Sequence, residues 1–200
     1  IRKATRYIIV HTSECDLKTT LKIVSQGKQD NYKWVSRGGH THYVIARDGQ
    51  TYRILDENLR AHHAGRSMWN GERNLNRVSI GIELVGYHNS YITATQYKSV
   101  GLLIEILKNT YRLDDRAVLT HSQVAYKSGL LNRRGRKHCA RNFDRQRAGL
   151  KPTWPYDPDV RAGRLQPDPQ LSSIFYGTRP QTGTKYPPYV IQLDKTAWQI

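Results

Sequence analysis

The chain has 200 residues, with 32 lysines and arginines against 16 aspartates and glutamates, a formal net charge of +16. That length suffices for one domain with a proper core and a tail, and no apolar run approaches the roughly 18–20 residues needed to span a bilayer. Two cysteines, Cys15 and Cys139, are too few for a secreted disulfide scaffold, although a single bridge between them stays open. The charge predicts attraction to a polyanion: nucleic acid, acidic lipid or an anionic cell-wall polymer. The chain opens at Ile1 with no methionine or signal-like segment, so targeting information is expected to lie outside it.

The first apolar run, RYIIVH over residues 6–11, is β-branched and predicts a buried strand closed by His11. Residues 16–25 allow a short helix with Leu17, Leu21 and Val24 on one face. HYVIAR (42–47), Asp48-Gly49 and QTYRI (50–54) predict a hairpin around a DG turn. VSIGIELV (78–85) predicts another strand, with Ile80, Ile82 and Leu84 on one face and Ser79, Gly81, Glu83 and Val85 on the other. Residues 93–112 form the clearest helix, opened by a Thr93/Gln96 capping box and striped by Val100, Leu103, Ile104 and Leu107. AVLT (117–120) predicts a short strand closed by His121, as the first is closed by His11. This order predicts an α/β domain over residues 1–150, a mixed central sheet flanked by helices. Prolines then recur at 152, 155, 158, 167 and 169, so residues 151–189 read as an extended Pro-rich segment.

Chemistry concentrates at the strand ends. If the two histidine-closed strands are neighbours, His11 and His121 emerge at one sheet edge, and Cys139 can join them. Two histidines, a cysteine and an open position form the donor pattern of a catalytic zinc site, but the three residues lie far apart in sequence and no HxxxH or CxxC anchors them. Cys139 closes the stretch GRKHC, and five of the nine residues from Arg133 to Arg141 are basic. Such surroundings are expected to favour a thiolate. Glu83 interrupts an apolar strand; it reads either as a solvent-facing glutamate or as a general base beside a metal. Lys137 reads either as a solvated loop charge or as a partner for an oxyanion.

Taken together, IIVHTS, HTHYVIARDGQTYRI, HHAGRSMWNGERNLNRVSIGIELVG, LTHSQVA and GRKHC, in that order over roughly residues 5–145, resemble the zinc-dependent N-acetylmuramoyl-L-alanine amidases. That group includes phage lysozyme-type amidases, cytosolic anhydro-muramyl amidases and peptidoglycan recognition proteins. The resemblance implies one zinc ion held by His11, His121 and Cys139, with Glu83 and Lys137 as catalytic groups. It places His63, Ala64, Gly65 and Asn76 in the substrate groove, with His62 as a neighbouring alternative to His63. The implied reaction is hydrolysis of the amide between the lactyl group of N-acetylmuramic acid and L-alanine. The implied partners are peptidoglycan or muropeptides, and anionic wall polymers would account for the charge. A monomer at the cell envelope is expected.

Two departures from the family pattern stand out. Cys139 occupies a position where members with SIGIEL usually carry Asp, with Asp144 as the fallback ligand. YKSGLLNR (126–133) looks like an insertion between the histidine and cysteine blocks. One rival is a non-catalytic peptidoglycan-binding recognition domain, which would typically lack a zinc ligand. The other is a nucleic-acid binder, which would need stacking aromatics among its basic residues or a DNA-reading motif; no such motif is present. Finally, YVIQLDKTAWQI at the end resembles the opening of a LysM module, so residues 190–200 are expected to begin a glycan-binding unit.

Overall fold

The computed structural model describes residues 1–30, 33–34 and 36–177. In chain order the elements are β1 (Tyr7–Thr12), α1 (Leu17–Gln26), β2 (Gln29–Asp30), β3 (Lys33–Trp34), β4 (Tyr43–Ile45), β5 (Thr51–Arg53), β6 (Met68–Trp69), β7 (Glu72–Arg73), β8 (Ser79–Leu84), α2 (Ala94–Tyr111), β9 (Val118–Thr120), α3 (His121–Val124), β10 (Tyr126–Lys127), β11 (Arg133–Arg134), α4 (Pro158–Arg161) and α5 (Pro169–Tyr176). Five strands form one sheet in the order β5-β4-β8-β1-β9. β4, β8, β1 and β9 run parallel and β5 pairs antiparallel with β4. This is the mixed α/β architecture expected from the sequence.

Period-two alternation sorts the sheet into two faces. Ile8, Val10, Ile80, Ile82, Leu84 and Val118 pack beneath α2, against Tyr97, Val100, Ile104 and Leu107. The helix begins where Thr93 accepts from the Gln96 amide at 3.1 Å while Gln96 Oε1 accepts from the Thr93 amide at 3.1 Å. It ends at Arg112, whose left-handed backbone (φ 53°) stops further turns. Opposite, α1 packs Val24 with Val44 and Val85. The DG turn is present, with Gly49 at φ +90°, a conformation that disfavours side chains.

Two regions differ from expectation. The stretch 126–133, which looks like an insertion in the sequence, enters the short β10–β11 hairpin, Tyr126 opposite Arg134 and Lys127 opposite Arg133, with Leu130 and Leu131 exposed at its tip. The segment after residue 150 is not simply extended, because two of its prolines start helices. Asp157 caps α4 ahead of Pro158, and Asp168 caps α5 ahead of Pro169. Proline suits the first helical position, whose N–H would be unpaired anyway. Buried Arg134 ties this segment down: its Nε donates to Asp157 Oδ2 at 2.7 Å and its Nη2 to Asp157 Oδ1 at 3.0 Å and Asp159 Oδ2 at 3.1 Å. Its Nη1 donates to the carbonyls of Met68 and Val124, both at 2.9 Å. The rest of the Pro-rich stretch and the LysM-like residues 190–200 lie outside the described residues.

Candidate metal centre

β1 lies between β8 and β9, and its register with β8 sets His11 opposite Glu83. β9 pairs with β1 up to Val10–Thr120, so His121 follows one residue beyond that contact as the first residue of α3. A second capping box fixes this start: Thr120 Oγ1 accepts from the Gln123 amide and Gln123 Oε1 accepts from the Thr120 amide. Both histidines therefore project from the carboxyl ends of adjacent parallel strands. The 135–139 loop brings Cys139 beside them, and the Cys139 Sγ accepts from the Thr12 amide at 3.2 Å.

The three donor groups converge. The His11 and His121 Nδ1 atoms are 3.0 Å apart, and Cys139 Sγ lies 3.7 Å from His11 Nδ1. Among the described residues this is the one His/Cys/Asp/Glu group compact enough to hold a metal ion, its donor atoms all within 4.8 Å of one another. All three residues are buried. Asp144 stands apart, its Oδ1 capping the amides of Gln146 and Arg147. Cys15 and Cys139 are both free thiols.

The donor set is of the kind that suits zinc: two neutral imidazoles and a cysteine sulfur, which would ligate as the thiolate, its proton released on metal binding. Burial first, then the neighbouring His121 and His63, keep His11 neutral well below the ordinary histidine range. Burial, helped by the Arg136 and Lys137 charges, lowers His121 to about 3. Neutral rings are the form that ligates a metal.

Glu83 sits beside this cluster, its Oε1 3.9 Å from His11 Nδ1, while its buried Oε2 has no hydrogen-bond partner. Burial pushes its carboxyl up to about 8, with Glu14 adding to the shift. An unpartnered, desolvated carboxylate is poised to take and return a proton near neutral pH. Lys137 is exposed at the rim, near enough for its charge to act on both histidines.

The basic loop does not stabilise the thiolate as its composition suggests. Arg134 is spent on Asp157 and Asp159, Arg136 Nη2 reaches the Arg66 carbonyl, and Arg141 Nη1 meets His138 Nδ1. Burial, with Glu83 adding, pushes the Cys139 thiol up instead.

The residues anticipated for the groove divide. Gly65 and Asn76 line an open cleft of about 430 Å³ together with Arg60, Arg66 and Arg73. His63 and Glu83 line a smaller one of about 180 Å³ with Ser13, Cys15 and His40. Exposed His62 borders both. Ala64 is fully buried, its carbonyl 3.2 Å from His121 Nε2 and its amide donating to Asn76 Oδ1 at 2.7 Å. His63 is buried with both ring nitrogens on protein partners: Nδ1 is 2.9 Å from His11 Nε2 and Nε2 is 3.2 Å from Ser79 Oγ. Sequence reasoning missed the roles of Ser79 and Thr12 here. A polar residue on the Glu83 face of its strand was the available signal for Ser79; Thr12 offered none.

Comparison with known proteins gives the family and the fold. Residues 2–142 match the family model described as N-acetylmuramoyl-L-alanine amidase, and the chain belongs to that family. A Rickettsia conorii protein bearing the same activity in its name is 29% identical over 140 residues, covering 69% of this chain and 47% of its own length. The 1,6-anhydro-N-acetylmuramyl-L-alanine amidase AmpD of Escherichia coli is 32% identical over 84 residues, covering 42% of this chain and 46% of its own. The chain thus spans about half the length of these curated relatives. Among solved structures, AmpD superposes with a TM-score of 0.59 at 23% identity, over 74% of this chain and 84% of that one. The Escherichia coli amidase AmiD, solved with anhydro-N-acetylmuramic acid-L-Ala-D-gamma-Glu-L-Lys, superposes with a TM-score of 0.57 at 21% identity, over 98% of this chain and 79% of that one. At those identities the likeness speaks for the fold.

Proposed function

We propose that the chain is a zinc-dependent hydrolase of peptidoglycan or muropeptides, cleaving the amide between the lactyl group of N-acetylmuramic acid and the L-alanine of the stem peptide. The observation that carries this reading is the convergence of the His11, His121 and Cys139 donors beside the unpartnered Glu83 carboxyl. Family membership and the names of the amidase relatives support the choice of bond.

His11, His121 and Cys139 would hold the ion, which supplies Lewis acidity towards the amide carbonyl and lowers the pKa of water. Glu83 accepts the proton from the attacking water, then returns it to the leaving amine of alanine. Its burial keeps it basic enough for the first role and acidic enough, once protonated, for the second. Lys137, on the loop two residues before Cys139, would supply positive charge for the oxyanion that develops at the carbonyl. Cys139 in place of a carboxylate keeps the same formal charge with a softer donor.

The complete donor set argues against a domain that only binds. The excess of positive charge suits anionic wall polymers and an envelope location. Among the described residues no helix is long and apolar enough to cross a membrane. Digestion of defined muropeptides, read by mass spectrometry before and after chelation and zinc readdition, tests the proposal. Release of free stem peptide that stops on chelation and returns with zinc is expected; binding without release would overturn it.

A further inference from the structure

The histidine cluster has a second tier that no catalytic role explains. We infer that His63 and Ala64 together form a clamp that orients both histidine ligands, His63 acting on His11 and the Ala64 carbonyl on His121, so that His63 is a positioning residue rather than a substrate contact. The inference rests on the metal-centre reading above and concerns which nitrogen of each ring carries its proton.

The hydrogen-bond chain reads in one direction. Ser79 Oγ donates its proton to the Leu75 carbonyl at 2.6 Å. Towards His63 Nε2, 3.2 Å away, that oxygen can then only accept, so His63 carries its proton on Nε2. His63 Nδ1 is left with a lone pair, which accepts from His11 Nε2 at 2.9 Å. His11 therefore presents an unprotonated Nδ1 to His121 Nδ1 and Cys139 Sγ. On the other side His121 Nε2 donates to the Ala64 carbonyl at 3.2 Å, which leaves its own Nδ1 unprotonated. Adjacent residues of one loop thus turn two lone pairs to the same point.

The clamp is itself held. Asn76 Oδ1 accepts from the Ala64 amide at 2.7 Å and fixes that peptide plane. The His63 ring lies flat against β8 at Gly81, where a Cβ would come within 2.6 Å of His63 Cγ. Glycine is required there because the ring occupies the space a side chain would need. The alternation of β8 puts Ser79, Gly81 and Glu83 on one face, so a single strand supplies the anchor of the clamp, the bed for its ring and the neighbouring carboxylate. His63 is buried and both its nitrogens are committed, leaving none for a ligand in the adjoining cleft. Partners that hold the far nitrogen of a metal-bound imidazole typically matter about 10–100-fold in metal affinity.

Zinc affinity, measured by competition with a chromophoric chelator, and the His11 tautomer, read by ¹⁵N NMR of the metal-free chain, test this. In the parent chain His11 is expected to be protonated on Nε2. His63→Ala should weaken zinc binding about 10–100-fold. His63→Gln, which retains an acceptor and a donor, should recover most of that loss. Ser79→Ala should weaken binding less and produce a mixture of His11 tautomers. Zinc affinity unchanged in a folded His63→Ala chain would overturn the clamp. If that variant does not fold, an unchanged affinity and His11 tautomer in Ser79→Ala overturn it instead. Should the parent chain take up no zinc, the metal-centre reading falls, and the His11 tautomer in the metal-free chain still decides the clamp.

Discussion

Two buried polar networks, one around Arg134 and one around His11, end differently. Around Arg134, each donor meets an acceptor: two aspartates and two carbonyls take the guanidinium, and Arg164 Nε shares Asp159 at 2.8 Å. Around His11, the chain of hydrogen bonds runs inward from Ser79 and Ala64 and stops with two lone pairs facing each other and one Glu83 oxygen without a partner. A closed network fixes structure; an open one holds chemistry, because buried polar groups left unmet are costly and persist where a ligand meets them.

The largest effect should come from the open end. Glu83→Gln is expected to lower muropeptide cleavage by about 10²–10⁴-fold while zinc content, measured by atomic absorption, stays at one ion; near-parent cleavage would remove Glu83 from the proton transfer. At the closed end, Arg134→Met leaves Asp157 as a buried uncompensated charge and Asp159 with Arg164 alone, and should cost about 3–5 kcal/mol in urea unfolding. Adding Asp157→Asn and Asp159→Asn to that variant should restore much of the loss. Cys139→Ser should reduce zinc retention through gel filtration, whereas Asp144→Asn should leave it unchanged; the reverse pattern would move the third ligand.

A smaller effect follows from pH. His42 is buried, accepting from the Gly81 amide at 3.0 Å with Nδ1, and burial lowers it to about 4 from 6.5. Between those values the unfolded chain binds a proton that the folded chain refuses, so stability falls as the pH falls through this window. The melting temperature of the metal-free chain should decline from pH 6.5 to 4, and NMR should show His42 titrating near 4; an ordinary midpoint near 6.5 would contradict the burial argument. The smallest effect belongs to Leu130 and Leu131, exposed on the hairpin tip. Replacing both with serine should change stability by no more than about 0.5 kcal/mol.

Much of this was legible in the residues, and the failures are physical. The β-branched runs marked β1 and β8, and the Thr93/Gln96 pair marked α2, because local patterns determine such elements. The three donors could be nominated from strand ends and motif order. What could not be read was pairing that depends on tertiary partners. The basic run in GRKHC suggests thiolate support, but Arg134 beside it is bonded to Asp157 and Asp159, residues more than 20 positions downstream. Pro158 and Pro169 looked like breakers of structure, yet each follows an aspartate cap and starts a helix. The family resemblance implied His63 in the substrate groove; the fold adds what no motif shows, a ring set against Gly81 with both nitrogens on protein partners.

The in-register pairing of His11 with Glu83 across β1 and β8 makes the backbone a ruler. The offset between base and ligand is the spacing of neighbouring strands, about 4.7–4.9 Å, and it does not depend on loop length. Changes in the length of the connecting loops therefore leave the His11–Glu83 offset unaltered. A single residue added within β8 would turn Glu83 to the α2 side of the sheet and silence it at one stroke.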